Sequence, residues 1–342
     1  MAQITLNRVA QEAGVSVSTV SRVLNRTETP IDISPATVAR VQEVAQTLGY
    51  VPSGAARAMR TGRSRTIGVL GTSADFFQNV RSSFVGQIMS GLVEGAARAG
   101  YHLTLLTGFP SSPESGRPGA DLGMADALIV LNRDLPNDPA ARRAVQAWNR
   151  PLVYALDYPE EIGEQERALL HAVAPDDRQG GFLATRALQN AGHRRIAFAR
   201  KTYFPRIFDR RQAGWRDALP DGGETDPLVW HTENLTPEAV RHAVHAGVSA
   251  VVCANSVVAD SVLECAGAAG VRIPADLALI RFGYDEPSPD TRFAEVIHPL
   301  HEEIAEAVRI AVHMIESGTE PEHRSHLLPY TLRHGATFPD AQ

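Results

Sequence analysis

The sequence predicts a small all-α head at the N-terminus and an α/β body of two doubly wound parallel-sheet lobes. Apolar residues recur at helical spacing through the first 50 residues. From Thr66 onward, short apolar runs typical of buried strands alternate with helical patterns, and this alternation is typical of parallel sheets. The 342 residues are enough for one small domain and one bilobed domain.

The stretch 4–25, ITLNRVAQEAGVSVSTVSRVLN, predicts two short helices joined by a tight turn. Thr5 and Ser16 are suitable N-caps, and Gly14 is suited to end the first helix. The outer face of the second helix is rich in hydroxyls and ends in Arg22. Hydroxyls and helix N-terminal amides suit phosphate oxygens, and an arginine can bind guanine O6 and N7. A DNA-binding helix-turn-helix is therefore favoured over an ordinary surface αα-hairpin.

A third helix follows in the sequence and closes the predicted head. Ser34 is a suitable N-cap, and a proline at the first helical position follows it. Gly49 ends this helix. The next segment, 50–66, YVPSGAARAMRTGRSRT, has two interpretations: a short helix that starts near Pro52, or a plain linker. We expect a head at 1–50, a hinge helix or linker at 51–66 and a body at 67–342.

The body alternates predicted strands and helices. Strands are predicted at 66–71, 101–108, 127–131, 151–156, 171–175, 195–200, 227–230, 250–255 and 276–283, and helices at 84–99, 142–148, 180–190, 210–219, 237–245, 257–269 and 299–318. The segment 109–119, rich in proline, serine and glycine, is a predicted surface loop. We expect lobe 1 at about 67–168 and 299–325, and lobe 2 at about 169–298 and 326–340.

Charge and composition restrict the function classes. Residues 1–66 contain eight arginines and four acidic residues, a net charge of +4, whereas the whole chain carries −6. This predicts a polyanion partner for the head only. The sequence has neither a membrane-length apolar run nor a signal pattern, so we expect a cytoplasmic protein. The spacing of Cys253 and Cys265, and that of the histidines, predicts no metal site, and we expect no cofactor.

The residues AQEAGVSVSTVSRVLN resemble the N-terminal signature of the LacI family of transcription factors. Further stretches also fit this family, and the body resembles a periplasmic sugar-binding protein: VAPDDRQGGFLATRALQNAGHRRIAFA, RRQAGW and GVRIPADLALIRFG. The resemblance implies a homodimer that binds a palindromic operator in double-stranded DNA, and a small effector between the lobes. The resemblance also implies a last strand, LLPYTLRHGAT, at 327–337. Since no heptad tail follows it, we expect dimers and not tetramers.

The resemblance, together with the pattern, gives a set of candidate DNA-binding residues. In the family, positions matching Ser34 and Thr37 contact phosphate, and an apolar wedge on the hinge enters the minor groove. Met59 stands where the usual leucine would be, and the segment 26–33 is longer than the usual turn. The candidates are Thr5, Ser16, Val17, Ser18, Thr19, Ser21, Arg22, Asn25, Ser34, Thr37, Tyr50, Ala56, Arg57 and Met59.

Ligands of open α/β sheets bind at the carboxyl ends of strands, which gives the candidate effector residues. They are Ser73, Asp75, Phe76, Asp157, Arg211, Asn255 and Asp285. Arg211, Asn255 and Asp157 match effector-binding positions in sugar-responsive family members. The usual first-loop N-P-F is ADFFQN here, and the usual G-F-D-D is RFGYDE, so the effector need not be a common sugar. A nucleobase, or a protein corepressor, is the alternative.

An enzyme is the competing function class. Asp176-Asp177 could suggest acid–base chemistry, but the sequence has no G-x-S-x-G, P-loop or G-x-G-x-x-G motif. The two aspartates are better interpreted as a cap for the helix that follows. We therefore expect a protein that is not an enzyme. A secreted binding protein is disfavoured by the basic head.

Overall fold

The computed structural model describes residues 4–25, 33–51, 58, 61–71, 83–106, 125–131, 150–157, 171–202, 205–220, 228–285, 290–322 and 325–338. The chain divides into two compact units, residues 1–64 and 65–342. Most of the predicted hinge, residues 52–57 and 59–60, lies outside the described residues, as do the predicted helix 142–148 and the predicted loop 109–119.

The head contains the three predicted helices: α1 (Leu6–Ala13), α2 (Val17–Asn25) and α3 (Pro35–Thr47). Thr5 caps α1, and Gly14 ends it with a φ of +63°, a conformation that glycine adopts without a steric cost. Small and β-branched side chains form the core, so the helices can approach closely. The buried core residues are Val9, Ala10, Ala13, Val20, Val23, Val41 and Ala45.

The body contains two six-stranded sheets. The strands are β1 (Thr66–Leu70), β2 (His102–Leu106), β3 (Ala127–Val130), β4 (Leu152–Ala155), β5 (His171–Pro175), β6 (Ile196–Arg200), β7 (Val229–His231), β8 (Ala250–Cys253), β9 (Ala278–Tyr284), β10 (Ala294–His298), β11 (Ser325–Leu328) and β12 (Thr331–Arg333). The orders are β11-β5-β4-β3-β1-β2 and β12-β10-β9-β8-β6-β7. All pairings are parallel except that of β10 with β12.

Six helices of the described body accompany these sheets: α4 (Ser83–Ala99), α5 (Asp177–Asn190), α6 (Pro205–Ala218), α7 (Pro237–His245), α8 (Ser256–Ala269) and α9 (Leu300–Ser317). On the first lobe, α4 packs against α9, and α9 packs against β3, β4 and β5. On the second lobe, α5 packs against α6 and the sheet, and α8 packs against β6, β8 and β9. Each lobe has its own apolar core.

The structure corrects the predicted lobe limits. Strands β5 and β11, which the sequence analysis assigned to lobe 2, hydrogen-bond with the first sheet: β5 pairs with β4, and β11 pairs with β5. A short apolar strand does not specify the sheet that it joins, so the pattern alone could not place either one. The strand β10 was not predicted at all, and α6 begins at Pro205, five residues before the predicted start.

Candidate functional site

The start of α2 carries three of the predicted DNA-binding hydroxyls, those of Ser16, Ser18 and Thr19. The Ser16 Oγ accepts a hydrogen bond from the Thr19 backbone N–H at 3.1 Å and lies 2.8 Å from both the Ser18 Oγ and the Thr19 Oγ1. Val17 and Ser18 are exposed, whereas Thr19, Ser21 and Arg22 are half-buried. The polar groups therefore cluster where the helix N-terminus is positive and attracts anions.

The other two helices of the head also begin at hydroxyl caps. The Thr5 Oγ1 accepts from the Arg8 N–H at 3.4 Å, and the Ser34 Oγ accepts from the Thr37 N–H at 3.3 Å. The Ser34 Oγ also lies 2.9 Å from the Thr37 Oγ1. The three cap hydroxyls of the head, those of Thr5, Ser16 and Ser34, thus each accept a local backbone hydrogen bond.

The remaining DNA-binding candidates fall into two groups. Tyr50 is half-buried against the core of the head, where burial raises the pKa of its phenol. Asn25 is the last residue of α2. Ala56, Arg57 and Met59 lie outside the described residues.

In the body, Arg211 is bonded by all three of its guanidinium nitrogens to protein groups. Its Nε donates to the Asp177 Oδ1 at 2.8 Å, its Nη1 to the Ala254 carbonyl at 2.5 Å and its Nη2 to the Tyr330 Oη at 2.9 Å. The guanidinium carbon also lies 4.2 Å from the centre of the Phe282 ring. The residue predicted to bind an effector is therefore an internal structural link in this structure.

Asp177 is the centre of this polar cluster, and the sequence analysis gave it only a capping role. Asp176 does cap α5, accepting from the Gln179 N–H at 2.9 Å. Asp177 is instead 1% exposed and accepts hydrogen bonds from Arg210, Arg211 and the Tyr330 hydroxyl. Burial acts to raise the pKa of Asp177, but the charges of Arg211 and Arg210 outweigh it, so this pKa is lowered. The consecutive arginines at 210 and 211 were the signal that could have indicated a buried carboxylate partner.

The predicted effector residue Asp157 joins the same cluster from the first lobe. It follows β4 and is almost completely buried. Its Oδ1 accepts from the Arg210 Nη2 at 2.7 Å, and Arg206 lies 3.9 Å from its Oδ2. Arg210 and Arg206 are on α6, which packs against β6 of the second sheet. The Asp157–Arg210 contact therefore joins the two lobes.

Asn255 and Asp285 lie at the carboxyl ends of β8 and β9, where the sequence analysis placed them. The Asn255 Oδ1 accepts from the Val258 N–H at 2.9 Å and so caps α8. Asn255 follows Ala254, whose carbonyl binds Arg211, so the structure brings Asn255 close to the cluster. Asp285 is exposed, and its backbone carbonyl accepts from the Gln87 amide of α4 in the first lobe. Ser73, Asp75 and Phe76 lie outside the described residues.

A second polar link lies at the crossover from β10 to α9. The His298 Nε2 is hydrogen-bonded to Glu303, and the other oxygen of Glu303 accepts from the Leu156 backbone N–H beside Asp157. Both side chains are buried, and the His298 ring centre lies 5.7 Å from that of Tyr330. The crossover is therefore bonded to the backbone beside Asp157 and lies next to the ring of Tyr330.

A cleft of about 380 Å³ opens beside these residues. Its lining combines charged groups from α5 and α6 with a few apolar side chains: Pro175, Asp176, Asp177, Arg178, Arg206, Asp209, Arg210, Ala213 and Leu327. Within the described residues, no group of three or more His, Cys, Asp or Glu side chains could hold a metal ion. In the same part of the chain, no helix has the length and apolarity needed to cross a membrane.

Comparison with known proteins matches both units to family models. Residues 5–53 match the family described as bacterial regulatory proteins, lacI family, and residues 185–338 match a periplasmic binding protein-like domain. The chain belongs to the LacI family. It is therefore a DNA-binding transcription regulator with a helix-turn-helix head and a periplasmic-binding-protein-like body.

Several LacI-family proteins are similar to this chain. The HTH-type transcriptional repressor PurR of Klebsiella pneumoniae (strain 342) is 27% identical over 310 residues, covering 87% of this chain and 85% of PurR. PurR of Pectobacterium atrosepticum is 26% identical over 315 residues, covering 87% of this chain and 85% of that relative. A complex of the regulator CelR with cellobiose has a TM-score of 0.62 at 27% identity and covers 97% of this chain and 98% of CelR.

The lac repressor dimer bound to operator and the anti-inducer ONPF has a TM-score of 0.73 at 20% identity. That alignment covers 98% of this chain and 100% of the repressor chain. At this level of identity the likeness concerns the fold. The LacI-family fold is therefore matched over almost the full length of the chain.

Proposed function

We propose that this protein is a repressor that binds a near-palindromic operator as a homodimer, and that a small-molecule effector between the lobes controls its affinity for DNA. The observation that carries the proposal is a basic helix-turn-helix head together with a two-lobed body whose lobes are joined by buried polar contacts, among them Arg210–Asp157. PurR is named a repressor, and CelR was solved with cellobiose.

The DNA interface of the proposal is the exposed side of α2. Ser18 and Arg22 are the central pair: the hydroxyl is placed for a phosphate, and the arginine for a base edge. No ion pair joins Arg22 to a carboxylate among the described residues, so its charge is available to DNA. One such helix reads only a few base pairs, and specific affinity therefore requires two half-sites and two heads.

The effector of the proposal is a sugar or sugar derivative, contacted by Arg211, Asn255, Asp157 and Asp285 together with Ser73, Asp75 and Phe76. The hydroxyl groups of a sugar can donate hydrogen bonds to carboxylates and to an amide oxygen, and they can accept hydrogen bonds from a guanidinium. The rings of Phe282 and Tyr330, whose centres are 5.2 Å apart, give the cluster an aromatic side.

A nucleobase effector or a protein corepressor is the second candidate, and one observation favours it. The guanidinium that would bind a sugar hydroxyl is already bonded to Asp177, Ala254 and Tyr330. A sugar would have to compete with these buried contacts, whereas the edge of a base could pair with the amide of Asn255 and leave them in place.

The test is selection of a DNA site from a random pool, followed by titration of that site with candidate effectors. We expect recovery of an inverted repeat, and a change in operator affinity with a sugar, or with a nucleobase for the second candidate. Arg22→Ala in the head should alter which DNA sequences are selected. Arg98→Ala is the control and should not alter them, because Arg98 is an exposed arginine of α4 that pairs with Glu94. Recovery of no inverted repeat would contradict the proposed operator.

A further inference from the structure

One guanidinium contacts carboxylates of both lobes. The Arg210 Nη2 lies 2.7 Å from the Asp157 Oδ1 and 3.2 Å from the Asp177 Oδ2, and the Arg210 Nε lies 3.3 Å from the same Asp177 oxygen. Asp157 follows a strand of the first sheet, and Asp177 begins α5, which packs on the second sheet. We call Asp157, Arg210 and Asp177 the interlobe bridge.

The interlobe bridge is shielded from water. The side chains of Arg210 and Asp157 are 11% and 8% exposed, and that of Asp177 is 1% exposed. Charges attract each other more strongly when solvent is excluded, and removing one partner of a buried pair leaves an uncompensated charge. The Arg210–Asp157 pair is therefore a buried charged contact between the lobes, in addition to the exposed contact of the Gln87 amide with the Asp285 carbonyl.

The two sides of the interlobe bridge are not equivalent. Asp177 also binds Arg211 and Tyr330, so the second lobe retains these contacts when the lobes separate. Asp157 faces two cations, Arg210 and Arg206, and both are on α6. Separation of the lobes therefore takes Asp157 away from both, and the Asp157–Arg210 contact is the one that breaks.

We propose that Arg210 determines the balance between closed and separated lobes, acting as a latch through its contact with Asp157. The proposal rests on the proposed function, since lobe closure is the step by which an effector would alter DNA affinity. In this assignment Asp157 is a closure residue, and its carboxylate stabilises the closed state by pairing with Arg210. Because Arg210 also lines the 380 Å³ cleft, a ligand there lies beside the contact that controls closure.

The test is the distance between the lobes, measured by pulsed electron spin resonance on the full chain. Spin labels are placed at Arg98→Cys in α4 and Glu238→Cys in α7, in a Cys265→Ser background. Cys253 can stay, because it is fully buried and burial raises the pKa of its thiol. Dilution with unlabelled protein restricts the signal to labels on one chain.

We expect the parent to show mainly the short distance, and Arg210→Gln and Asp157→Asn each to shift the ratio of short to long distances about tenfold toward separation, equivalent to ~1.4 kcal/mol. Arg178→Gln is the matched control, because its ion pair with Asp217 lies within the second lobe. The double variant should shift the ratio no further than one single variant, since both changes remove the same contact.

A parent-like distance distribution in both single variants would overturn the proposal, and so would additive shifts in the double variant. If Arg210→Gln does not fold, Asp157→Asn carries the test alone, because it leaves the cluster of Asp177, Arg211 and Tyr330 complete. A separate operator titration distinguishes the proposed latch from the proposed effector control. If the variants show separated lobes but no effector changes the operator affinity of the parent, the latch is supported and effector control is contradicted.

Discussion

A methyl group on the Cα of Gly214 would lie 1.8 Å from the carbonyl oxygen of Arg178, so α6 and α5 contact each other backbone to backbone at this point. The reciprocal position, Gly181, would place a Cβ 2.0 Å from the Arg211 carbonyl. The close crossing brings the first residue of α5, Asp177, against Arg210 and Arg211 of α6. The glycines of two helices thereby position the charges of the cleft.

Replacing Gly214 with alanine should destabilise the protein by about 1–3 kcal/mol or more, because a backbone carbonyl cannot move aside without displacing a helix. Gly267→Ala is the matched control: it is an exposed position of α8 with nothing within 4 Å of the new methyl group. Alanine is a better helix former than glycine, so the control should be neutral or slightly stabilising. Denaturant unfolding measures both, and equal stability of the two variants would argue against a tight crossing.

Replacing Asp177 with asparagine should cost about 3–5 kcal/mol at neutral pH, since two buried arginines lose their shared charge partner. Asp217→Asn is the control on the same pair of helices; its exposed ion pair with Arg178 should contribute only about 0–1 kcal/mol. Urea unfolding at pH 7 gives both values. A loss no larger than that of Asp217→Asn would mean that the buried cluster does not stabilise the fold.

The same variant should alter the dependence of stability on pH. Because the pKa of Asp177 is lowered in the folded protein, its stabilisation is present above the ordinary aspartate pKa of about 3.9 and is lost as the pH falls below that value toward the folded pKa. The difference in the free energy of unfolding between the parent and Asp177→Asn should therefore become smaller as the pH falls from neutral to about 3. A constant difference over this range would contradict the lowered pKa.

Local patterns predicted the elements of this protein well. The caps Thr5, Ser16 and Ser34 were predicted because a hydroxyl before an amphipathic run is a local signal, and all three accept the expected backbone hydrogen bond. The helix α7 begins at Pro237 and ends at His245, which are the bounds that the sequence analysis predicted. Each of these features depends on residues within four positions of one another.

The cleft was harder to predict because its contacts are distant in sequence. Arg211 was predicted to bind an effector, but its observed partners Asp177 and Tyr330 lie 34 and 119 residues away. The interlobe contact of Arg210 with Asp157 spans 53 residues and two sheets. The assignment of β5 and β11 to the wrong lobe has the same cause, since the sequence of a single strand does not indicate which distant strand it pairs with.

The proposed effector response should depend on Arg211 and Asn255. Arg211→Ala and Asn255→Ala are expected to abolish the change in operator affinity caused by a ligand while leaving operator binding itself intact. Because Arg211 also binds Asp177 and Tyr330, its variant should lose stability as well, and unfolding should be measured alongside. Asn255→Ala loses only a helix cap, about 0.5–2 kcal/mol. A normal ligand response in both variants would place the effector elsewhere.

The proposed assembly is a homodimer without further association. Sedimentation of the free protein at micromolar concentration should give twice the chain mass of 36.9 kDa. Two heads on one inverted repeat are needed because each recognition helix covers only a few base pairs. A monomer with full operator affinity would contradict the dimer, and so would a tetramer.

Met59→Ala and Arg22→Ala should affect DNA binding in different ways. The proposed role of Met59 is an apolar wedge in the minor groove at the centre of the operator, where such side chains unstack a base step and kink DNA by roughly 20–90°. Its alanine variant should lose bending and much of the specific affinity. Non-specific binding should remain, because it depends on arginine charges and varies with salt. Arg22→Ala should instead relax base preference within each half-site, at a cost of about 1–3 kcal/mol if it binds a guanine.

A circular-permutation bend assay, beside a base-substitution scan of the selected operator, separates the two roles. Methionine is flexible, so the central step should be a deformable pyrimidine–purine step, and replacing that step should weaken the parent but not Met59→Ala. For Arg22→Ala, base substitutions within the half-sites should change operator affinity less than they do for the parent. The central step should still matter, and DNA bending should be unchanged. If Met59→Ala bends and binds the operator as the parent does, then the wedge is another residue or the segment 51–66 is only a linker.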